Sequence, residues 1–318
     1  MTSEQTAVVE DRFAPRRYLV RHETAYEYSS EVSASLGRAK LRPRETDQQT
    51  VLEHRAEVTP TPAVHDEVLD PFGNFSHFLE ITTGHQRLSI VKESLVRIDR
   101  RRPELERMNT ITVAEARETI RQSNTVDPIE RAAYVLPTEL TDLGDARKYA
   151  TDVLDERMPF GDAVRTVFER IYDDFTYESG VTNVNTTLPE LIAAKAGVCQ
   201  DFAHLAAAVF RSFGIPARYV SGYLETSPPP GQIKLRGSDA SHAWCAVMTP
   251  DGQWIDIDPT NNQPVDSRYI ITAWGRDFRD VSPYKGITTS AGATSTLSVS
   301  VDVDRVDVPN EAGERAAS

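Results

Sequence analysis

Gly197-Val198-Cys199-Gln200-Asp201-Phe202-Ala203-His204-Leu205 is the stretch from which the fold is read. A small-residue loop, Ala194-Lys195-Ala196-Gly197, runs directly into an apolar series of helical spacing: Phe202, Leu205, Ala206, Val209, Phe210 and Phe213. Gly214 and Pro216 end that series, a common helix C-terminal signature. The pattern predicts a buried central helix with Cys199 in its first turn. Unpaired N–H groups and the positive end of a helix dipole favour a thiolate or an oxyanion there. Cys199 is therefore a candidate nucleophile, provided a histidine and an orienting carboxylate can reach it.

Downstream, the texture changes to strands. Residues 217–224, 240–248 and 253–258 are rich in β-branched and aromatic residues. Pro228-Pro229-Pro230-Gly231 reads as an exposed loop, and Asp251-Gly252 as a hairpin turn. Period-two alternation puts His242, Trp244 and Ala246 on one face of their strand, and Trp254, Asp256 and Asp258 on one face of the next. If the two strands pair, a carboxylate approaches His242. Asp258, at the strand end beside Pro259, is the first choice of orienting acid, with Asp256 in reserve.

Upstream, helical patterns precede Cys199. Thr112 with Glu115 reads as a capping box, Asp127-Pro128 as a second helix start, and 145–153 as a further helix. Val164, Val167, Phe168 and Ile171 make one apolar face within 160–172, and 188–194 is a short helix entering the cysteine loop. Helices, a cysteine-headed central helix and then an antiparallel sheet make an α+β layout, assigned to residues 111–290.

Residues 17–105 read differently. Candidate strands at 18–28, 51–58, 64–69, 75–81 and 88–98 are separated by turn signals such as Thr59-Pro60-Thr61-Pro62 and Asp70-Pro71-Phe72-Gly73-Asn74. Short strands so punctuated predict an antiparallel β-sandwich. Asp99-Arg100-Arg101-Arg102-Pro103 reads as a solvated connector. Alternation in 296–303 predicts one more strand, within 291–308. Residues 1–16 and 309–318 are expected to be disordered tails.

Composition bounds the function. The 318-residue chain has a net charge of −13, which argues against nucleic acid or an anionic membrane as a main partner. Two cysteines, Cys199 and Cys245, are too few for a disulfide scaffold, and no zinc-finger spacing occurs. No apolar run has the length of a membrane span and no leader is recognisable, so a cytoplasmic location is expected. His22, His54, His65, His77 and His85 scatter over several candidate strands, and neither a metal site nor a cofactor is expected from them.

The motifs carry a resemblance. The 197–205 block, Phe213-Gly214-Ile215-Pro216-Ala217-Arg218-Tyr219-Val220-Ser221-Gly222-Tyr223, Ser241-His242-Ala243-Trp244, and Trp254-Ile255-Asp256-Ile257-Asp258-Pro259-Thr260-Asn261 are similar, in order and spacing, to those of the bacterial transglutaminase-like superfamily. Asp173 to Thr182 resembles the segment upstream of its cysteine, and residues 18–98 its N-terminal β domain. The resemblance implies a papain-like core and a Cys199–His242–Asp258 triad performing thiol-mediated acyl transfer or hydrolysis at amide bonds of a protein or peptide. Gln200 stands where many members carry arginine. A non-catalytic peptide-binding module of the same fold is the alternative.

Weaker expectations concern the surroundings. Tyr177, Trp244 and Asp201 are candidate substrate contacts, although Trp244 fits packing as well and Asp201 fits helix capping better. Thr182 is a further groove candidate. His204 fits core packing better than the cleft. Cys245, on the opposite strand face from His242, is expected to be buried and inert.

Overall fold

The computed structural model describes residues 10–226, 237 and 240–306. The expected loop at 228–231, the outer part of the expected N-terminal tail, 1–9, the last two residues of the expected 291–308 strand segment, and the whole of the expected C-terminal tail, 309–318, lie outside these residues. In chain order, the strands β1 (Arg16–Val32), β2 (Ala34–Ala39), β3 (Gln49–Thr59), β4 (Val64–Leu69), β5 (Phe75–Ile81) and β6 (His85–Ile98) come first. The helices α1 (Val113–Gln122), α2 (Pro128–Ala133), α3 (Leu143–Ala150) and α4 (Phe160–Asp174) follow. Then come β7 (Thr176–Tyr177), α5 (Leu188–Ala194), β8 (Ala196–Gly197) and α6 (Cys199–Ser212). The strands β9 (Ala217–Leu224), β10 (Ala240–Met248), β11 (Trp254–Asp258), β12 (Gln263–Pro264) and β13 (Tyr269–Gly275) complete the core. The chain closes with α7 (Phe278–Val281), β14 (Tyr284–Thr289) and β15 (Ser295–Val306).

The N-terminal sandwich is present, with two four-stranded antiparallel sheets ordered β15-β1-β6-β3 and β14-β2-β5-β4. Between them lies an apolar layer of Leu41, Val58, Leu79, Ile81, Leu88 and Ile90. Two of the eight strands come from the far end of the chain. β15 pairs with β1 from Arg17↔Val306 to Tyr28↔Ser295, and β14 pairs with β2. The core therefore ends near residue 283, not 290. β14 has one half-buried and five exposed positions, so it shows none of the alternation that announced β15. β2, also missed by sequence, is a six-residue strand with glycine and arginine in its middle.

The α+β core follows expectation. A five-stranded antiparallel sheet, β12-β11-β10-β9-β13, packs one face on α6. Helices α1, α3, α4 and α5 enclose α6 from the other side through Val113, Ala146, Val164, Phe168 and Leu191. Every residue of α6 from Asp201 to Arg211 is buried. That burial exceeds a single amphipathic stripe and explains its alanine-rich sequence, since small side chains let neighbours approach on all sides.

The two units share contacts that fix their arrangement. Tyr18, Val20, Val96 and Ile98 of the sandwich form one cluster with Tyr223 of β9 and Ile270 of β13. Two side-chain amides extend the backbone pairing of β13. Gln49 donates to Ile271 O and accepts from Ile271 N, both at 2.8 Å. Asn74 does the same with Trp274, at 2.8 and 2.9 Å. Residues 10–15, expected to fray, are also held: Arg12 donates to Gln263 Oε1 at 2.8 Å, and Glu10 pairs with Arg16 and Arg305. Arg100 departs from the solvated-connector expectation. It is buried beside Asp256 at 3.4 Å, while Arg101 and Arg102 are exposed.

Candidate active site

Cys199 opens α6. Val198 is the N-cap residue in extended conformation, and Cys199 is half-buried at the first helical position. Asp201, two residues on, turns its Oδ2 back to accept from Val198 N at 2.9 Å and from Thr182 Oγ1 at 2.7 Å. It thereby holds the helix start against the 182 loop. With 2 % of its surface exposed, Asp201 is a buried cap of the helix. Burial raises its carboxyl pKa, and the Thr182 and Val198 hydrogen bonds counter this.

β10 and β11 form the expected hairpin, with Gly252 in a left-handed conformation at φ +82°. Pairing runs from Met248↔Trp254 to Cys245↔Ile257, and Asp258 ends the strand diagonally across from His242. His242 Nε2 lies 2.8 Å from Asp258 Oδ2. The Cys199 side chain lies near enough to act on the same imidazole, so the sulfur, the ring and the carboxylate converge. With Nε2 engaged by Asp258, Nδ1 is the nitrogen left for the thiol. Opposite His242 in β9 stands Gly222, where a Cβ would meet Ile270 O at 2.0 Å and the Trp244 ring at 2.6 Å. No larger residue fits between the Trp244 ring and the β13 backbone.

Asp258 is completely buried and fully hydrogen-bonded. Its Oδ2 accepts from Asn261 Nδ2 at 2.6 Å and Tyr269 OH at 2.7 Å in addition to His242. Its Oδ1 accepts from Thr260 N at 2.8 Å. Burial alone would raise its pKa; the His242 charge and these donors bring it below the usual carboxylate range. For His242, burial works downward, but the Asp258 charge, the Asp258 hydrogen bond and the Cys199 contact win, and the pKa is pushed up to about 10. The ring is therefore cationic at neutral pH.

Several expectations are corrected here. Asp256, the reserve acid, accepts from Trp244 Nε1 at 2.7 Å and lies 3.4 Å from Arg100, whereas the carboxylate on His242 is that of Asp258. Trp244 is fully buried; it stacks beside His242 at 6.2 Å and edge-on to Tyr269 at 5.4 Å, so it shapes the floor and is not a groove wall. Tyr177 is 56 % exposed, and β7 pairs in parallel with β8 so that Tyr177 lies opposite Gly197, two residues before the cysteine. His204 is buried, accepts from Phe278 N at 3.1 Å and stacks on Tyr219, as the core-packing expectation had it. Cys245 is fully buried, and burial pushes its thiol up to about 12. No sequence pattern marks Tyr269. Asn261 stands two residues after Asp258-Pro259, a turn signal that marks it in the sequence.

The β domain and core each match a family model: the bacterial transglutaminase-like N-terminal region over residues 18–97, and the transglutaminase-like superfamily core over residues 147–259. The chain is 40 % identical over 293 residues to an uncharacterized protein of Mycobacterium tuberculosis, spanning 90 % of this chain and 92 % of the relative. The chain belongs to the transglutaminase-like superfamily. Within this superfamily, it is 33 % identical over 88 residues to a protein-glutamine gamma-glutamyltransferase of Pseudomonas aeruginosa, a match covering 27 % of this chain and 13 % of that one. The fold is shared with a candidate cysteine protease from Cytophaga hutchinsonii, at TM-score 0.70 and 22 % identity over 93 % of this chain and 92 % of that one. That likeness of fold spans both the sandwich and the core. Among the described residues, no helix is long and apolar enough to cross a membrane.

Proposed function

We propose that this chain is a thiol enzyme that cleaves amide bonds by acyl transfer, with Cys199 as nucleophile, His242 as acid–base and Asp258 as the group that orients and charges the ring. The Cys199 thiolate attacks the carbonyl carbon of a peptide, isopeptide or glutamine carboxamide. A tetrahedral oxyanion forms, assisted by N–H groups of the first turn of α6. The His242 imidazolium gives its proton to the leaving nitrogen, the C–N bond breaks, and an amine leaves behind a thioester. Water or a second amine, deprotonated by the now neutral imidazole, attacks the thioester and restores the thiolate. Tyr177 borders the substrate groove.

The observation that carries this reading is the position of His242, bonded to a buried carboxylate on one side and in contact with Cys199 on the other. A structural histidine has no need of a buried charge, which costs several kcal/mol to desolvate. Membership of a superfamily that includes a glutamyltransferase supports the same reaction class.

Iodoacetamide labelling at neutral pH tests the reading. Cys199 should alkylate much faster than Cys245 and should slow when His242→Ala is introduced. Sluggish labelling of Cys199, unchanged by that substitution, would favour the non-catalytic binding module. A peptide-library assay of wild type and Cys199→Ala, with and without a primary amine, then reports which acceptor is used.

A further inference from the structure

Four of the five histidines of the sandwich fall into two pairs. His22 and His85 have both ring nitrogens engaged by neutral partners. For His22 these are Thr24 Oγ1 at 2.8 Å and Tyr223 OH at 3.0 Å. For His85 they are Ser35 Oγ at 2.9 Å and Thr83 O at 2.8 Å. His54 and His77 are each engaged on one side only. His54 Nδ1 meets Ser94 Oγ at 2.8 Å, and His77 Nδ1 meets His65 Nε2 at 3.1 Å. The Nε2 atom of each is buried and has no hydrogen-bond partner. His77 itself is only 4 % exposed.

These two free nitrogens converge with a carboxylate. One ring nitrogen each of His54 and His77 and one oxygen of Glu67 all lie within 4.8 Å of one another. Glu67 Oε2 is 2.9 Å from His77 Nε2, yet that nitrogen makes no hydrogen bond, so the oxygen stands out of line with the ring N–H direction. The other oxygen, Oε1, is held by Arg42. The residues come from three strands: His54 from β3, Glu67 from β4 and His77 from β5. β3 and β4 are the adjacent edges of the two sheets, so the cluster sits where the sandwich opens at its side.

From this arrangement we infer a divalent transition-metal site, of the zinc class, formed by His54 Nε2, His77 Nε2 and Glu67 Oε2. Two imidazoles and a carboxylate are a donor set suited to zinc. Each ring has its Nδ1 beside a neighbour able to accept its proton, Ser94 Oγ for His54 and His65 Nε2 for His77, and in that tautomer the lone pair is on Nε2. Arg42 orients the carboxylate in the same way. Ligands about 2.0–2.1 Å from one ion lie at most about 4.2 Å apart, so modest side-chain closure completes the set. A fourth position is left for water. Two cations oppose an ion at this point: Lys92 of β6, buried without a hydrogen-bond partner and near enough for its charge to act on His54, His65 and His77, and Arg42, whose charge acts on His54 and His77. The Glu67 charge works against that of Lys92 at the same point. An ion here would tie together the two sheet edges, a role independent of the amide chemistry at Cys199.

The test uses the full chain carrying Cys199→Ala, which removes the other thiol–imidazole pair able to hold zinc. A zinc titration against a chromogenic chelator should show one equivalent bound, cobalt should give the visible bands of a low-symmetry nitrogen–oxygen site, and zinc should raise the melting temperature. His54→Gln and Glu67→Gln, at half-buried and exposed positions that tolerate change, should each lose the binding and the melting shift. Ser94→Ala should weaken binding about tenfold or more. Absence of a bound equivalent, or equal binding by the parent and both ligand variants, would overturn the assignment.

Discussion

His22 and His242 are both almost wholly enclosed by protein, yet they are displaced in opposite directions. His22, 1 % exposed in the sandwich between Thr24 and Tyr223, is pushed down to about 4 by burial. His242, with a side chain 10 % exposed, is pushed up to about 10. Burial opposes the charged ring in both. The difference is Asp258, a carboxylate 2.8 Å away that is itself buried and braced by Asn261, Tyr269 and Thr260. A histidine in a core is a neutral hydrogen-bonding group unless a carboxylate is enclosed with it. The protein places that carboxylate beside the one histidine that touches a cysteine at a helix N-terminus.

The largest effect that would sharpen this contrast is the loss of the nucleophile. Cys199→Ala should lower turnover by on the order of 10⁴-fold with little change in melting temperature, whereas Cys245→Ala should leave turnover near wild type. Equal losses would break the distinction between the two thiols. Next comes Asp258→Asn, which makes the surroundings of His242 resemble those of His22. Turnover should fall by roughly 10³-fold, and the alkaline limb of the pH–rate profile should move to lower pH, because the ring loses the charge that keeps it protonated.

The third effect is on stability, and its sign differs between the two histidines. His22 has a folded pKa below its unfolded value of about 6.5, so the unfolded chain takes up a proton first as pH falls. Stability is then lost between about pH 6.5 and 4, by about 3 kcal/mol from this residue. His242 is raised, so its contribution is complete below about pH 6.5 and fades as pH climbs toward 10. Denaturant melts of His22→Gln at pH 7 and pH 4.5 should show a shallower acid loss than wild type. An identical loss would mean that His22 is solvated. The smallest effect belongs to Tyr269→Phe, which removes one of the donors to Asp258. It should cost about 1 kcal/mol and several-fold in turnover, with the pH profile moved only slightly.

The sequence disclosed what is local and left hidden what depends on strands meeting. Cys199 was legible because a small-residue loop and an apolar series bracket it. His242 and Asp258 were legible because period-two alternation and Asp251-Gly252 fixed a hairpin. Beyond these, the partners come from afar. Tyr269 reaches Asp258 from β13, and Gln49 docks on Ile271 across 222 residues, with no pattern in either segment to announce it. β14 joins the sandwich with five of six positions exposed, so no periodicity marks it. His54, Glu67 and His77 scatter along the chain as the sequence showed, and only the approach of two sheet edges gathers them. Trp244 shared the face of His242 as alternation required, but its Asp256 hydrogen bond and full burial make it a floor where a groove contact was expected.

The convergence of ring, carboxylate and sulfur is tested most directly by an NMR titration of the His242 imidazole, in wild type and in Asp258→Asn. A ring that stays cationic through neutral pH and releases its proton near pH 10, with a fall of several units in the variant, is the expected result. Titration near 6.5 in both proteins would mean that Asp258 does not charge His242, and the proposed chemistry would lose its proton donor.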